Sequence, residues 1–276
     1  MGDMVVSTVG LSAAPRRVAV YWHLENLVAS QYNKLYGSGQ WTRDKLNTAR
    51  KVPDDLALAL GRARIDVKAL VTHARSIGDL VVNRVYADWS VGMYKEYRLG
   101  FSETRPVDFV QMYRGVTVRT DVQLPMDVVR DVDRHPHITD VVVFSGTVGF
   151  DAVAAHCAAR GRRVHAVGLV TGHNATWRAA TQFTEYADVA SAPHVPPLPA
   201  ATRRALTAPF RGNRDTTFGY KAFRLAAVGI EPKALGYPSL WGLLRTAALE
   251  GIVEVEGLSP DKGVIRLKRT FVDVPA

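Results

Sequence analysis

The sequence predicts an α/β protein, in which a Rossmann-like parallel sheet flanked by helices is followed by a small, basic winged-helix domain. Apolar β-type runs alternate with helical patterns from residue 16 to about residue 190. That alternation is typical of right-handed βαβ units, which build a parallel sheet covered on both faces. Beyond residue 203, helical patterns precede two strands that alternate apolar and charged residues, as in a solvated hairpin.

Five short apolar runs predict the strands of the sheet. They are residues 17–22, 80–86, 107–113, 141–145 and 163–168. Helical patterns are expected near 53–76, 90–102, 122–134, 149–160 and 174–187. Because ligands of such sheets lie beyond the carboxyl ends of the strands, functional residues are expected just after Trp22, Tyr86, Tyr113 and Ser145.

Composition shifts divide the chain into four segments. Residues 1–15 are expected to be a disordered tail and 16–190 the α/β domain. Residues 191–202 are Pro-rich and predict an extended linker, or alternatively a loop draped over the first domain. Residues 203–276 form the small C-terminal domain, which carries 12 Lys and Arg against 7 Asp and Glu.

Charge and cysteine content narrow the classes of function. The net charge of +9 and the pI of about 9.8 favour a polyanionic partner, mainly RNA or another single-stranded nucleic acid, although general solubility is the other interpretation. The single cysteine, Cys157, predicts no internal disulfide and no cysteine-based zinc cluster, and therefore a reducing, cytoplasmic compartment. We expect no membrane span, because no apolar run reaches the required length of about 18 residues.

Several ordered motifs resemble the NYN domains, bacterial relatives of the PIN and 5′-nuclease fold. The segment VAVYWHLENL at 18–27 is similar to the start of these domains, where the first strand usually ends in Asp followed by x-x-Asn. Further similar segments are NRVYADW at 83–89, TDVQL at 120–124 with Asp127, HITDVVVFSGTVGF at 137–150 and GRRVHAVG at 161–168. The resemblance covers roughly residues 16–188 and implies a PIN-like fold.

This resemblance implies metal-assisted nuclease chemistry, in which carboxylates hold Mg²⁺ or Mn²⁺. Three of the family's aspartates are replaced here, by His23, Thr147 and Gly149, while Asp121 and Asp127 remain as weak or vestigial metal ligands. It therefore implies a degenerate nuclease that binds RNA or another nucleic acid without efficient hydrolysis. A cofactor, Mg²⁺ or Mn²⁺, is expected only if the nuclease site survives.

Two alternatives remain open at this point. In the first, the protein is a metal-dependent ribonuclease whose rebuilt site uses Asp121 and Asp127 with Glu25 or Asp151, although both of these acids also suit the first turn of a helix. In the second, a small-molecule enzyme reuses the pocket, with His23 beside Asp121 as an acid–base catalyst. A histidine that is merely tolerated there is the simpler interpretation of His23.

Arginines and aromatic residues near the sheet edge suit phosphates and unpaired bases. Tyr86 and Tyr113 are expected to face the core. The predicted nucleic-acid contacts are Asn26, Arg84, Trp89, Arg119 and, on the wing, Arg266 and Lys268. The C-terminal segments 235–244 and 263–267 resemble the LOTUS (OST-HTH) winged-helix modules, which implies RNA binding or docking of a protein partner.

Overall fold

We describe a computed structural model of the chain over residues 15–52, 54–104, 106–113, 119–145, 150–169, 180, 182–190, 197–257 and 260–268. The strands in these ranges are β1 (Arg17–His23), β2 (Asp79–Ala87), β3 (Asp108–Gln111), β4 (Asp140–Phe144), β5 (Arg163–Gly168), β6 (Gln182–Glu185), β7 (Thr217–Gly219), β8 (Val253–Glu256) and β9 (Val264–Leu267).

The helices of the first part of the chain precede or follow the strands of the large sheet. They are α1 (Leu24–Tyr36), α2 (Gln40–Arg43), α3 (Ala57–Arg62), α4 (Val67–Ile77), α5 (Gly92–Lys95), α6 (Tyr97–Ser102), α7 (Thr120–Arg134), α8 (Asp151–Ala159) and α9 (Tyr186–Val189). The C-terminal helices are α10 (Ala200–Thr207), α11 (Tyr220–Ala226) and α12 (Leu240–Leu249).

The large sheet confirms the predicted α/β class. Its six strands are all parallel, in the order β3-β2-β1-β4-β5-β6. The chain runs outward from β1 to β3 and then returns to β4 on the other side of β1. This reversal opens a crevice at the carboxyl ends of β1 and β4, where ligands of such folds bind.

Both faces of the sheet are buried, which explains the nearly continuous apolar strands. Val18, Val20 and Trp22 of β1 pack on the side of α1 and α4. The alternate residues Ala19 and Tyr21 pack on the side of α7 and α8. The period of two along β1 therefore divides the core into two layers.

One expected helix is partly wrong. Residues 182–185, inside the expected helix 174–187, form the edge strand β6, which pairs in parallel with residues 165–168 of β5. Pairing with an open sheet edge outweighs the weak helical pattern there, and Phe183 and Thr184 are good strand formers. Residues 174–179 of that expected helix lie outside the described residues.

A second expected helix, 53–76, is divided. Residues 63–66 separate α3 from α4, and the Asp66 carboxylate accepts a hydrogen bond of 2.9 Å from the backbone N–H of Ala69. That side-chain cap starts α4 as a separate helix. The helix α1, which follows β1 without a loop, was not among the predicted helices.

The C-terminal part contains the two expected helices and the two expected strands. Helices α11 and α12 precede strands β8 and β9, in the order that the sequence predicted. The strand β7 was not predicted, and it completes a small antiparallel sheet of order β7-β9-β8. None of the helices in the described ranges is both long and apolar enough to cross a membrane.

The C-terminal part packs against α1 of the first part. A Cβ atom on Gly37, whose φ is +115°, would lie 2.6 Å from the indole ring of Trp241. The Arg245 guanidinium donates a hydrogen bond of 3.1 Å from Nη2 to the Lys34 carbonyl. Tyr36 also contacts Tyr237 edge to face, with ring centroids 6.4 Å apart. Helix α12 is therefore covered by α1 rather than exposed.

Candidate functional site

The polar residues nearest the crevice lie where β1 and β4 end. His23 is the last residue of β1, and Ser145 directly follows β4. The two side chains meet, with 3.4 Å between His23 Nδ1 and Ser145 Oγ. Both are buried, at 9% and 1% exposure respectively. The structure thus places His23 at the strand end where the sequence predicted it.

Burial determines the charge of His23. It lowers the pKa of the imidazole to about 4, and of the two nearby charges Asp121 raises that pKa whereas Arg119 lowers it. The ring is therefore neutral near pH 7. A neutral imidazole replaces the negative charge that the first family aspartate would supply, and its low pKa makes it a poor general acid at that pH.

This electrostatic argument predicts that His23 does not titrate between pH 5 and pH 8. The folded pKa of about 4 lies below the value near 6.5 of an unfolded histidine. As pH falls from about 6.5 towards about 4, the unfolded chain takes up a proton at this residue and the folded chain does not. His23 therefore lowers the free energy of unfolding over that range. Histidine ring signals followed by nuclear magnetic resonance, and assigned with His23→Gln, provide the measurement. A His23 midpoint near 6.5 would show that the imidazole is solvated.

The Asp121 carboxylate forms an ion pair with Arg119, which lies two residues earlier in the sequence. Arg119 Nη2 lies 3.0 Å from Asp121 Oδ2, and Arg119 Nε donates to Asp121 Oδ1 at 3.1 Å. The Asp121 side chain is 42% exposed and that of Arg119 78% exposed. Asp121, which raises the pKa of His23, is thus itself paired with a cation.

Asp127, the other predicted metal ligand, lies in a buried hydrogen-bond network. Its Oδ2 accepts from the Tyr86 hydroxyl at 2.7 Å, and its Oδ1 accepts from Gln123 at 2.9 Å. Arg130 Nη2 also lies 2.5 Å from Oδ1. Burial raises the pKa of the Tyr86 hydroxyl, which keeps it protonated as a donor. Both carboxylate oxygens are therefore occupied: Oδ2 ties α7 to β2, and Oδ1 has its partners within α7.

Two further acids lie near the carboxyl ends of β1 and β2. The backbone N–H of Asp88 donates to Glu25 Oε1 at 2.8 Å. The Asp88 Oδ1 atom accepts from Ser90 N at 3.1 Å and from Gln111 Nε2 at 3.0 Å. Asp88 is buried and was missed as a site residue by sequence reasoning, although its place directly after a strand was a usable signal.

Two predicted nucleic-acid contacts, Arg84 and Trp89, have partners within the protein. Arg84 lies within β2, where its guanidinium pairs with the buried carboxylate of Asp131 and lies 3.6 Å from Asp108. Trp89 is only 4% exposed, and its indole N–H donates to the Val110 carbonyl at 2.9 Å. The Arg84 side chain, which is 21% exposed, neutralises buried charge, and the Trp89 ring fills the core.

At the carboxyl edge of the sheet, the exposed side chains are those of Tyr113 and Arg119 rather than those of Arg84 and Trp89. Tyr113, expected in the core, follows β3 and is 63% exposed, whereas Tyr86 is buried as expected. Arg119 lies just before α7 and projects into solvent. Asn26 is half-buried in the first turn of α1. The replaced loop positions Thr147 and Gly149 lie outside the described residues.

The two predicted contacts on the wing lie on or beside β9. Arg266 pairs with the Glu256 carboxylate and donates to Thr217 Oγ1 at 3.2 Å. Lys268 directly follows the strand. Arg266 and Lys268 lie far along the chain from His23. Among the described residues, no contact joins them to the residues predicted at the edge of the large sheet.

The crevice and its flanking helices define an α/β protein with the architecture of the PIN-like nucleases. The model of the NYN domain matches residues 17–188, more than half of the chain. The chain therefore belongs to the NYN domain family, which places it among nuclease-like, nucleic-acid-related proteins.

Comparison with other proteins adds little to this assignment. One solved structure to which the chain is similar is a protein of unknown function from Vibrio parahaemolyticus, at 15% identity and a TM-score of 0.41. The similarity covers 63% of this chain and 94% of that one. No curated protein matches the chain.

Proposed function

We propose that this NYN domain binds single-stranded RNA at the carboxyl edge of its sheet and does not hydrolyse it efficiently with a divalent metal. The observation that carries the proposal is the neutral, buried His23 at the end of β1. Mg²⁺ and Mn²⁺ bind oxygen ligands, and above all carboxylates, in preference to imidazole. His23, at the position of the family's first metal-binding aspartate, is therefore a poor ligand for these ions.

The two predicted metal ligands, Asp121 and Asp127, do not compensate for this replacement. Asp121 is paired with Arg119, and Asp127 accepts from Tyr86, Gln123 and Arg130. Within the described ranges, no cluster of three or more His, Cys, Asp or Glu side chains could hold a metal ion. These residues do not fit the hard dication that the family implies.

The same edge retains groups that suit RNA. The exposed ring of Tyr113 offers a face on which an unpaired base can stack. Arg119 presents a planar guanidinium that can exchange the Asp121 carboxylate for a phosphate. Asn26, in the first turn of α1, adds a polar amide to the predicted set. The net charge of +9 supports the approach of a polyanion.

The C-terminal part is proposed to be a LOTUS-like winged helix. Its elements follow the order α10, β7, α11, α12, β8 and β9, with β9 between the other two strands. In duplex-binding relatives of this arrangement the third helix enters the major groove. Here α12 packs against α1, so we assign the nucleic-acid contact to Arg266 and Lys268 on the wing, which would touch the backbone.

A titration of Mg²⁺ or Mn²⁺ against labelled single-stranded RNA, with gel shift and cleavage read from the same samples, tests the proposal. We expect a shifted complex at every metal concentration and no metal-dependent products. Metal-dependent products that vanish in Asp121→Asn, but persist in the exposed control Asp261→Asn, would instead establish a ribonuclease with a rebuilt site. Loss of both binding and cleavage would remove RNA as the ligand.

A further inference from the structure

A cavity of about 390 Å³ lies between the two parts of the chain, away from the crevice. It is bounded by the last turns of α1, by α9, by α12 and by β8. Its apolar wall includes Leu35, Ala190, Ala248 and Val255. This volume is within the range of roughly 300–1,000 Å³ typical of small-molecule sites. Leu35 is eleven residues along α1 from Leu24, and therefore roughly 16 Å from the His23 end of that helix.

Two cationic side chains, Arg245 and Lys34, line this mainly apolar space. The Arg245 guanidinium donates from Nη2 to the Lys34 carbonyl at 3.1 Å, whereas its buried Nε has no hydrogen-bond partner. In the described part of the chain, neither Arg245 nor the Lys34 ammonium forms an ion pair. Both side chains are half-buried, and charges that are partly withdrawn from water in this way are usually paired. The junction thus carries two positive charges without a protein counter-ion.

A third polar group points to a ligand independently of the charges. Gln31 is 2% exposed and lines the cavity, and its Oε1 atom has no hydrogen-bond partner among the described residues. A buried acceptor of this kind is unusual in folded proteins and is normally satisfied by a protein group, water or ligand. A ligand with one hydroxyl or amide N–H would satisfy it.

We propose that this cavity binds a small amphipathic anion. Its anionic head lies between Arg245 and Lys34, a hydrogen-bond donor reaches Gln31, and its apolar body packs against Leu35, Ala248 and Val255. Because the site joins α1 to α12, the bound anion also ties the C-terminal part to the first. The inference is independent of RNA binding at the sheet edge.

Calorimetric titration of the full chain with 3-hydroxydecanoate tests the proposal. This probe combines a carboxylate, one hydroxyl donor and a flexible apolar tail. The comparison compound is 1,3-decanediol, which keeps the tail and a hydroxyl at the same position but has no charge. We expect the anion to bind at least tenfold more tightly than the diol. Equal affinity, or no heat from either compound, would overturn the proposal.

Four substitutions test whether 3-hydroxydecanoate binds in this cavity. Arg245→Met and Lys34→Gln should each weaken 3-hydroxydecanoate at least tenfold, and Ala248→Phe should block it by filling the cavity without changing any charge. The exposed Arg224→Met on α11 serves as the charge-matched control and should bind as the unaltered chain does. Lys34→Gln keeps the test decisive should Arg245→Met fail to fold. Binding that survives Lys34→Gln and Ala248→Phe would exclude this cavity.

The role of Gln31 has its own test. We expect the unaltered chain to prefer 3-hydroxydecanoate over decanoate, because only the former has a donor for Oε1. Gln31→Leu should abolish that preference while leaving decanoate bound. A preference that persists in Gln31→Leu would show that the donor contacts another group, and would remove Gln31 from the site.

Discussion

Replacing Tyr113 by Ala and Arg119 by Gln together should weaken single-stranded RNA binding about 100-fold. Base stacking on an aromatic ring contributes about 1–3 kcal/mol, and a hydrogen bond to a charged group about 1.5–3 kcal/mol. A combined loss of about 3 kcal/mol corresponds to two orders of magnitude in the dissociation constant. Both side chains are exposed, so the fold should be unaffected. Fluorescence anisotropy with labelled RNA at one fixed salt concentration measures the effect.

Matched variants separate a specific contact from a general loss of charge. Arg134→Gln removes the same charge at the opposite end of α7, roughly 20 Å from Arg119, and should have little effect. Tyr113→Phe keeps the aromatic face and should bind as the unaltered chain does. Equal effects of Arg119→Gln and Arg134→Gln, with none from Tyr113→Ala, would move the RNA away from this edge.

Asp140→Asn should be the most destabilising single change of a charged group, by about 3 kcal/mol in the free energy of unfolding. The carboxylate is fully buried at the amino end of β4. Arg16 Nη2 lies 2.5 Å from Oδ1, and Arg163 Nε donates to the same oxygen at 2.8 Å. Thr139 Oγ1 donates to Oδ2 at 2.7 Å, and His165 Nε2 lies 2.9 Å from Oδ1. Asparagine keeps one acceptor oxygen, but its NH2 group would face donors in place of the other oxygen, and the negative charge between the two arginines would be lost.

The same cluster makes stability depend on pH. Burial alone would raise the pKa of Asp140, but the hydrogen bonds from Arg163 and Arg16 outweigh it and hold that pKa well below its usual value. A depressed pKa stabilises the fold above the unfolded value of about 3.9, and this contribution is lost as pH falls below it. Urea unfolding at pH 7 and at pH 3 should show the gap between the unaltered chain and Asp140→Asn shrinking in acid. The exposed Asp215→Asn is the control, and a gap independent of pH would contradict the argument.

The sheet was predictable because its strands carry their own signal. Residues 18–22 and 141–144 of these runs are apolar throughout, which is what burial on both faces requires. The edge strand β6 was not predictable in this way, because only pairing with β5 makes residues 182–185 extended. Strands at the margin of a sheet depend on their neighbours more than on their own composition.

The position of the candidate site along the chain was predictable, but the orientation of its side chains was not. His23 was found because it directly follows the predicted run 17–22, at the strand end where ligands of such sheets bind. The sequence could not show that Trp89 turns inward against Phe109, or that Tyr113 turns outward. Nor could it show that Asp127 meets Tyr86, since the two are 41 residues apart and contact only when α7 packs on β2. Which side of a turn a ring occupies is decided by tertiary packing.

The central claim is that this crevice lacks the anionic oxygens needed to hold a hard dication. Electron paramagnetic resonance of Mn²⁺ added in equimolar amount to the full chain measures this directly, because bound and hydrated ions differ in signal. We expect the hydrated signal to remain, unchanged by Asp121→Asn. Loss of that signal in the unaltered chain, with recovery in Asp121→Asn, would show an intact metal cage and would contradict the account.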